Sequence, residues 1–567
     1  MINHVTIKGT MYNGTRSLSS STSNSSSVLN LKSFVAEEVR KIEDWWGQPR
    51  YKDVERPYSS LDVVKHRGSL PVECNRYASS FQAQKLFRLL EDKFEKKLPL
   101  HTLGVIDPVQ MTQLARSKEI EVAYLSGWAC SSTLVGSTNE VSPDFGDYPY
   151  NTVPNQVERI FKAQQMHDRK LFLEKVEGLT NDDTTDYLKP IIADADMGHG
   201  GNTTVMKLAK LFAEKGAAAI HLEDQMVGGK RCGHLGGAVI VPSSTQLSRL
   251  IATRLQWDIM GTENLILART DSCNGELLSS SSDPRDHKFI KGTIEPGITP
   301  WSDRLAGLES QPMVTSDQIA IEEAEWYDKH HVFTFDEALQ KQVSQTEYER
   351  YLELKNKHLK EKPFVSLKEM KALASQASPA TTIEFDWDAP RTKEGYYLYN
   401  GGMEAAIERS LYFAPYADMI WLETKTPDLK QAISFSSRIH EVYPHVKLVY
   451  NLSPSFNWSA HGYTEENLKG FIWDLAKHGF VLQLVSLAGL HVNGLSFWQL
   501  VKSFGQNGMK AYVEQVQRLE KLENSDVLTH QKWSGAEYVD SIIKVLQNGS
   551  SSQTLSTSGD SFTENQF

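Results

Sequence analysis

The sequence is poor in the features that mark several large classes of protein. Its four cysteines, in 567 residues, are too few for a disulfide framework and are typical of reduced thiols in an intracellular compartment. No apolar run reaches the roughly 18 to 20 residues that a membrane-spanning helix requires. An excess of basic charge is also missing, since the net charge is −11 and the pI is about 5.9. This charge argues against nucleic acid as the main partner, because phosphate binding requires a basic surface.

Acidic residues are absent from the first 36 positions. This stretch contains Lys8, Arg16 and Lys32, it is rich in serine over residues 16–27, and the first acid follows it at Glu37. A basic, serine-rich and acid-free start is typical of a mitochondrial transit peptide, although a disordered tail has a similar composition. We therefore predict a transit peptide at residues 1–36, a location in the mitochondrial matrix and no membrane partner.

What the sequence does contain is a rhythm of short apolar runs. They occupy residues 101–107, 122–128, 190–196, 218–224, 265–271, 419–424, 447–453 and 481–487. Helical patterns separate several of the runs. Two of these, at residues 203–216 and 244–261, each end in a glycine suited to a C-cap, and the second begins with a Ser or Thr suited to an N-cap. Strands that alternate with helices form a parallel sheet, and eight of them predict an α/β fold of the closed, TIM-type (β/α)₈ class.

The remaining segments define the domain organisation that we expect around this barrel. Residues 37–100 are predicted to be an N-terminal helical region, and residues 506–546 to be C-terminal helices followed by a polar tail at 547–567. The first five strands would occupy residues 101–271 and the last three residues 385–505. Residues 272–384 are charged, favour helix and are too long for a loop, so we interpret them as an inserted helical subdomain.

Polar side chains follow the apolar runs, at the end of a parallel barrel that carries the catalytic site. They are Ser126, Trp128, Asp194, Asp196, Glu223, Asp224, Arg269, Asp271, Glu423, Asn451, Ser453 and Ser486. Carboxylates placed in this way offer hard oxygen ligands for Mg²⁺ or Mn²⁺, although structural salt bridges are an alternative. Magnesium usually takes only one or two carboxylates directly, so most of these acids would act through water. The glycine-rich residues 198–202, which open a helix, could also hold an anion.

Cys232 is the cysteine with the most unusual surroundings in the sequence. It lies in the glycine-rich segment 228–237, between Arg231 and Gly233 and close to Lys230 and His234. A cysteine is most often a small buried hydrophobic residue. Neighbouring positive charge, however, stabilises a thiolate and makes it usable as an acid or base near neutral pH. The flanking glycines indicate a loop that could close over a substrate.

Five short motifs together resemble one enzyme family. They are KRCGH (230–234), SGW (126–128), ADAD (193–196), ARTD (268–271) and NLSPS (451–455). The chain resembles the isocitrate lyase and 2-methylisocitrate lyase family, with the motifs in order over about residues 40 to 545. The resemblance implies a TIM-type barrel, Mg²⁺ dependence (with Mn²⁺ as a substitute) and a homotetramer whose C-terminal helices are exchanged between subunits. It also implies that the insertion corresponds to the extra domain of the eukaryotic members.

The resemblance also implies roles for individual residues. Asp194 would bind the metal directly, and Asp144, Asp196 and Glu223 would hold it through water. Cys232, Tyr124 and His234 would be catalytic, with Cys232 protonating a carbanion and Tyr124 taking the proton of the substrate hydroxyl. The carboxylates of a small tricarboxylate substrate would be bound by Ser126, Gly127, Trp128, Gly233, His234, Arg269, Asn451, Ser453, Ser455 and Ser486. The reaction would be a carbon–carbon cleavage of the retro-aldol type.

Four departures from the isocitrate lyase pattern bear on the substrate. Arg231 replaces Lys, Ser486 replaces Thr, and Met197 and Leu452 stand where isocitrate lyases often have Thr and Cys. The change from Thr to Ser removes one methyl group, which would suit a substrate that carries one more. The sequence in this respect resembles the mitochondrial 2-methylisocitrate lyases of fungi, which make pyruvate and succinate in propionate catabolism, the methylcitrate cycle.

Two alternatives remain from the sequence. The first is an isocitrate lyase of the glyoxylate cycle, which makes glyoxylate and succinate. The second is a catalytically inactive relative that serves as a tetramer partner or scaffold. An inactive relative would be expected to have lost Cys232, Asp194 or Arg269, and all three are present.

Overall fold

The structure is a computed structural model that describes residues 31–70, 72, 77–135, 138–233, 235–548, 552–554, 556–557 and 562–567. Residues 1–30 of the predicted transit peptide, together with Cys74 and His234, lie outside the described residues. The chain divides into two compact units. The described part of the first is residues 31–52 and 58–66, and the second comprises residues 53–57 and the chain from residue 67 onward.

The first unit is helical. Helix α1 (Leu31–Trp46) is followed by helix α2 (Ser60–Arg67), which ends at the boundary with the second unit. The hydroxyl of Ser60 donates a 2.8 Å hydrogen bond to the carboxylate of Glu43, so the start of α2 is tied to α1. From residue 37 onward the unit lies within the segment predicted to be an N-terminal helical region, whereas residues 31–36, the start of α1, belong to the predicted transit peptide.

The strands of the second unit fall into one barrel and two small sheets. In chain order the strands are β1 (Leu100–Gly104), β2 (Ile120–Leu125), β3 (Ile191–Asp194), β4 (Ala219–Glu223), β5 (Val239–Ile240), β6 (Leu265–Thr270), β7 (Leu277–Leu278), β8 (Lys291–Gly292), β9 (Phe333–Thr334), β10 (Tyr397–Leu398), β11 (Met419–Leu422), β12 (Lys447–Asn451) and β13 (Leu482–Val485). The closed barrel has the order β1-β2-β3-β4-β6-β11-β12-β13, and all its neighbouring strands are parallel. Each barrel strand lies within three residues of its predicted bounds, so the predicted TIM-type fold is confirmed.

Helices surround the barrel strands and fill the interval between β6 and β11. They are α3 (Ala78–Lys96), α4 (Pro108–Ala115), α5 (Gly127–Cys130), α6 (Thr152–Val176), α7 (Asn202–Lys215), α8 (Ser243–Met260), α9 (Trp301–Glu309), α10 (Ser316–Lys329), α11 (Phe335–Gln342), α12 (Gln345–Glu361), α13 (Leu367–Ala377), α14 (Met403–Phe413), α15 (Leu429–Val442), α16 (Glu465–Lys477), α17 (Ala488–Asn507), α18 (Met509–Tyr512), α19 (Arg518–Leu522), α20 (His530–Ser534) and α21 (Ala536–Leu546). Among the described residues, none of these helices is both long and apolar enough to cross a membrane.

The helix ends show which of the predicted capping residues are present in the structure. Helices α7 and α8 end at Gly216 and Gly261, which adopt the left-handed conformation with φ of 109° and 70°, as predicted. The predicted Ser or Thr N-cap of α8 is wrong, because the N-cap residue is Pro242, which has no side-chain acceptor. Helices α10, α11, α12 and α13 of the inserted interval each begin with a capping box, which explains why this charged segment is helical.

The inserted interval is not purely helical. Strand β7 joins β5 and β10 in a three-stranded sheet, and β8 pairs with β9. Strands of two residues have no readable periodicity, so the sequence pattern could not predict them.

One apolar cluster fills the barrel interior. Tyr124, Leu267 and Trp421 belong to it, and so do Leu86 and Leu90 of α3. Helix α3 leads directly into β1, so it packs where the barrel strands begin. The opposite ends of the strands are left for polar residues.

Candidate active site

A cavity of about 250 Å³ lies where the barrel strands end. It is lined by Tyr124, Ser126, Trp128, Asp144, Asp194, Cys232, Gly233, Arg269, Trp421, Glu423, Asn451, Ser453, Pro454, Ser455, Ser486, Leu487 and His491. Most of the predicted site residues within the described chain therefore meet in one place. Gly127, Asp196 and Glu223 are not part of the lining, and His234 lies outside the described residues.

Asp194, at the end of β3, is held by four groups, one of which is the Tyr124 hydroxyl, which donates a 3.4 Å hydrogen bond to its Oδ2. Its Oδ2 accepts a 2.9 Å hydrogen bond from the backbone N–H of Gly127, and its Oδ1 accepts one of 2.9 Å from the N–H of Asp196. The same Oδ1 lies 3.1 Å from Nε2 of the fully buried His221. Burial alone would raise the pKa of Asp194, but the adjacent His221 imidazole more than offsets it and holds that pKa below its usual value. Asp194 is therefore an oriented carboxylate.

Three further acids surround the ammonium group of Lys230. Its Nζ lies 2.6 Å from Asp144 Oδ1, 2.8 Å from Asp196 Oδ1 and 3.9 Å from Glu223 Oε1. Burial raises the pKa of Asp144 to about 6 and that of Glu223 well above its ordinary value. Burial acts in the same direction on Asp196, yet Lys230 and His199 hold its pKa well below the ordinary value. Three acids thus share one buried ammonium, while Asp194 lies beside His221.

This donor set fits a divalent cation. Asp144, Asp196 and Glu223 are buried, and Lys230 pairs with Asp144 and Asp196 and lies 3.9 Å from Glu223 Oε1. Carboxylate oxygens are the ligands that Mg²⁺ and Mn²⁺ prefer. Within the described chain, no three His, Cys, Asp or Glu side chains are already arranged to bind one ion directly.

Backbone strain is concentrated around the same acids. Asp144, Asp196 and His199 have φ of 67°, 47° and 56°, in the left-handed region that residues other than glycine rarely adopt. Such conformations cost about 1 to 3 kcal/mol each and persist only where the surrounding structure enforces them. His199 Nε2 lies 3.3 Å from Asp196 Oδ2, and Tyr148 donates a hydrogen bond to the same carboxylate.

Arg269, at the end of β6, presents its guanidinium to the cavity. Asp271 binds that guanidinium through both carboxylate oxygens, at 3.0 and 2.8 Å, and Glu223 Oε2 lies 3.3 Å from its Nε. The guanidinium carbon is 5.1 Å from the ring centre of Trp421. Despite burial, Asp271 and its acidic neighbours raise the pKa of Arg269 well above its ordinary value. It is a fixed positive charge.

Glu423 and Asn451 continue the wall of the cavity beyond Arg269. Glu423 accepts hydrogen bonds from Trp421 Nε1 at 3.0 Å and from Asn451 Nδ2 at 3.2 Å. The Asn451 amide oxygen accepts a 3.3 Å hydrogen bond from the hydroxyl of Ser486. This part of the cavity presents neutral amide and hydroxyl groups.

Cys232 lies beside this wall. A Cβ atom at Gly233 would come within 2.6 Å of Glu423 Oε1, so only glycine lets the loop approach Glu423 so closely. The two cations next to Cys232 in sequence bind other groups, because Lys230 pairs with acids and the Arg231 guanidinium lies 4.3 Å from the Phe145 ring centre.

The other described cysteines lie away from this lining. Burial raises the pKa of the Cys130 thiol, and it raises that of Cys273 to about 11. Neither lines the cavity.

Comparison with known proteins decides the family. The isocitrate lyase family model matches residues 38–567. The chain belongs to the isocitrate lyase family. It is 66% identical to the mitochondrial 2-methylisocitrate lyase of Saccharomyces cerevisiae, over 99% of this chain and 97% of that protein. It is 52% identical to the mitochondrial 2-methylisocitrate lyase of Hypocrea atroviridis, over 94% of each chain, and 41% identical to the isocitrate lyase of Kluyveromyces lactis, over 95% of this chain and 99% of that protein.

Of the four departures from the isocitrate lyase pattern, only Ser486 lines the cavity in the described chain. Met197 is fully buried against Gly146, where a Cβ atom would come within 2.6 Å of its terminal methyl. Arg231 lies over Phe145, and Leu452 packs against the main apolar core. Ser486 is therefore the departure that is placed to contact a bound molecule directly.

Several residues of this isocitrate lyase site did not enter the predicted set. Glu423 had a signal, since it follows the apolar run at residues 419–424, and Trp421 lies two residues earlier on the same face of that strand. The sequence signal for His221 was weaker, namely its position two residues before Glu223 in the apolar run at residues 218–224. His491 had none, because it lies on α17, beyond the last strand.

Proposed function

We propose that this chain is a mitochondrial 2-methylisocitrate lyase, which cleaves 2-methylisocitrate to pyruvate and succinate. One observation carries the proposal. A buried cluster of carboxylates, a thiol, a fixed arginine and neutral hydrogen-bond donors line the same small cavity. Two relatives that are named mitochondrial 2-methylisocitrate lyases, at 66% and 52% identity, support the choice of substrate.

The acids at one side of the cavity would hold Mg²⁺, with Asp194 as the direct ligand and Asp144, Asp196 and Glu223 acting through water. When bound, the cation would lower the pKa of the substrate hydroxyl. Mn²⁺ offers the same preference for oxygen ligands. The buried clustering of these carboxylates around a single ammonium supports this assignment.

The remaining residues would carry the cleavage. Burial raises the pKa of Tyr124 well above its ordinary value, so its hydroxyl is protonated at the start. Tyr124 takes the proton of the substrate hydroxyl while its own proton passes to His221 Nε2, 2.9 Å away, and the C–C bond breaks to form the oxo acid. The electron pair of that bond stays on the other fragment, a carbanion of succinate, and Cys232 donates a proton to its carbon. The developing negative charge is stabilised by Arg269 and by the site's hydroxyl and amide donors, with His234 completing the set. The hydroxyl and amide donors are Ser126, Asn451, Ser453, Ser455 and Ser486. Gly127, Trp128 and Gly233 would complete the set of substrate-binding residues.

The deciding experiment is a coupled assay of the purified protein on two substrates. We expect the higher kcat/KM on 2-methylisocitrate, with measurable activity on isocitrate, because one methyl group is worth only about 1 to 3 kcal/mol of discrimination. A clear preference for isocitrate would make the protein an isocitrate lyase of the glyoxylate cycle. Absence of activity on both would overturn the proposal.

We also propose that the protein acts in the mitochondrial matrix. Deletion of residues 1–36 should leave the purified enzyme active but retain it in the cytosol, because that segment is basic and polar and cannot contribute to an apolar core. Fractionation of cells that express the full chain or the truncated chain measures this. Recovery of the truncated protein in mitochondria would contradict it.

We further propose a homotetramer whose C-terminal helices are exchanged between subunits. Helix α17 leaves large apolar side chains exposed, with Leu495 at 59%, Phe497 at 69% and Trp498 at 58%. Val545 and Leu546 of α21 are 80% and 76% exposed. Monomers rarely expose apolar patches of this kind, and a partner subunit would cover them. Light scattering should give four times the chain mass, and Trp498→Asp should lower it.

A further inference from the structure

A buried arginine links the inserted interval to the barrel. Arg409 of α14 is 1% exposed, and its guanidinium contacts two carboxylates. Its Nη1 donates to Asp224 Oδ2 at 3.1 Å, and its Nη2 donates to Asp286 Oδ1 at 2.8 Å. Asp224 directly follows β4 of the barrel, whereas Asp286 belongs to the inserted interval. The three side chains form a buried ion network outside the cavity lining.

The barrel side of this network leads to Arg269. Asp224 Oδ1 accepts a 2.8 Å hydrogen bond from the backbone N–H of Asp271, and its Oδ2 accepts one of 2.7 Å from the hydroxyl of Thr270. Asp271 in turn binds the Arg269 guanidinium through both oxygens. Arg409 therefore fixes Asp224, Asp224 fixes the backbone after β6, and that backbone places the carboxylate that orients Arg269.

The insertion side of the network is anchored to a barrel helix. Asp286 accepts hydrogen bonds from the N–H and the hydroxyl of Ser243, both at 2.8 Å. Asp283 accepts one of 2.7 Å from the N–H of Ser244. These two acids satisfy the first N–H groups of α8, which Pro242 cannot cap. Only Asp286 also contacts Arg409.

We propose that Arg409 is a positioning residue, and that the inserted interval acts through Asp286 and Arg409 to set the direction of the Arg269 guanidinium. The inference rests on the proposed function, in which Arg269 binds a substrate carboxylate. Asp224 is fully buried, so loss of its arginine partner leaves a buried charge uncompensated and displaces the backbone that it holds. A displacement of about 1 Å at a substrate-binding group costs up to about a hundredfold in rate.

The two capping acids supply a matched pair of variants. Asp286→Ala and Asp283→Ala each remove an acceptor from the start of α8, so both should lower Tm, and Asp286→Ala should lower it more because it also removes a carboxylate partner of the buried Arg409. Only Asp286→Ala should raise KM and lower kcat/KM, by about ten- to a hundredfold. Equal kinetic constants in the two variants would overturn the inference, because helix capping alone would then explain both.

Arg409 itself gives the second measurement. Arg409→Ala should raise KM in the same direction, and added guanidinium ion should restore it, because the ion can occupy the vacated space between Asp224 and Asp286. If Arg409→Ala fails to fold, the comparison of Asp286→Ala with Asp283→Ala still tests the inference.

Wild type is assayed in parallel with all the variants. Loss of both lyase activities there defeats the proposed function, whereas an active wild type with an unchanged KM in Asp286→Ala defeats only this inference.

Discussion

The two ends of the cavity are built in different ways. At the acidic end the cavity is lined by Asp144 and Asp194, and Asp196, Glu223 and Lys230 lie behind them, so this end is charged and buried. The neutral end, formed by Asn451, Ser453, Ser455 and Ser486, presents amide and hydroxyl groups, and Ser455 is exposed. Arg269 and Glu423 lie between them. The difference indicates a division of labour, with charge balance at the acidic end and directed hydrogen bonding at the neutral end.

This contrast predicts unequal sensitivity to substitution. At the acidic end each carboxylate is held by buried partners, so removing one leaves the others uncompensated. At the neutral end a lost hydroxyl can be replaced by water, which makes hydrogen bonds nearly as good. The following predictions run from the largest expected effect to the smallest.

The largest effect is expected for the metal site at the acidic end. Asp194→Ala should abolish cleavage, and added Mg²⁺ should not restore it, because the proposed direct ligand is lost. EDTA should abolish wild-type cleavage, and Mg²⁺ should restore it. Activity assays and thermal shifts across a Mg²⁺ titration measure both effects. Ser455→Ala, at the neutral end, is the matched control and should keep the wild-type response to Mg²⁺. Full activity in EDTA would refute the metal assignment.

The second effect concerns the thiol that faces the boundary between the two ends. Cys232→Ser should reduce kcat by orders of magnitude with little change in substrate binding, since the shape is kept and the thiol chemistry is lost. Cys130→Ser should be nearly silent, because Cys130 is buried outside the cavity lining and burial raises the pKa of its thiol. Steady-state kinetics and substrate titration separate the two effects. Equal losses in the two variants would show that Cys232 has no special role.

The same contrast explains what the sequence could and could not predict. The barrel was predictable because each strand is a short apolar run, and the acids were predictable because they follow those runs. The contacts that complete the site were not. The Lys230 side chain reaches Asp144, 86 positions earlier in the chain, and Asp286 caps a helix that begins 43 positions before it. Neither pairing leaves a local pattern, because tertiary packing alone brings the partners together.

Two cations close to Cys232 also have partners that the sequence did not indicate. Lys230 and Arg231 precede Cys232 in sequence, which predicts a stabilised thiolate. In the structure Lys230 also pairs with the acids of the acidic end, and Arg231 lies on an aromatic ring. These partners are distant in sequence, so only tertiary packing reveals them.

The smallest effect is expected at the neutral end, where Ser486→Thr tests the choice of substrate. The backbone of Ser486 packs closely against Gly104 and cannot move away from the cavity in that direction. The packing is so close that a Cβ atom added at Gly104 would lie 2.0 Å from the Ser486 carbonyl oxygen. The added methyl group should therefore enter the cavity, while the hydroxyl that donates to Asn451 is kept. We expect kcat/KM on 2-methylisocitrate to fall about ten- to a hundredfold, with cleavage of isocitrate spared or improved. Ser486→Ala is the matched control, since it removes the hydroxyl without adding volume and should not change the ratio between the substrates. If Ser486→Thr lowers both activities equally, the methyl group of the substrate does not lie at the neutral end.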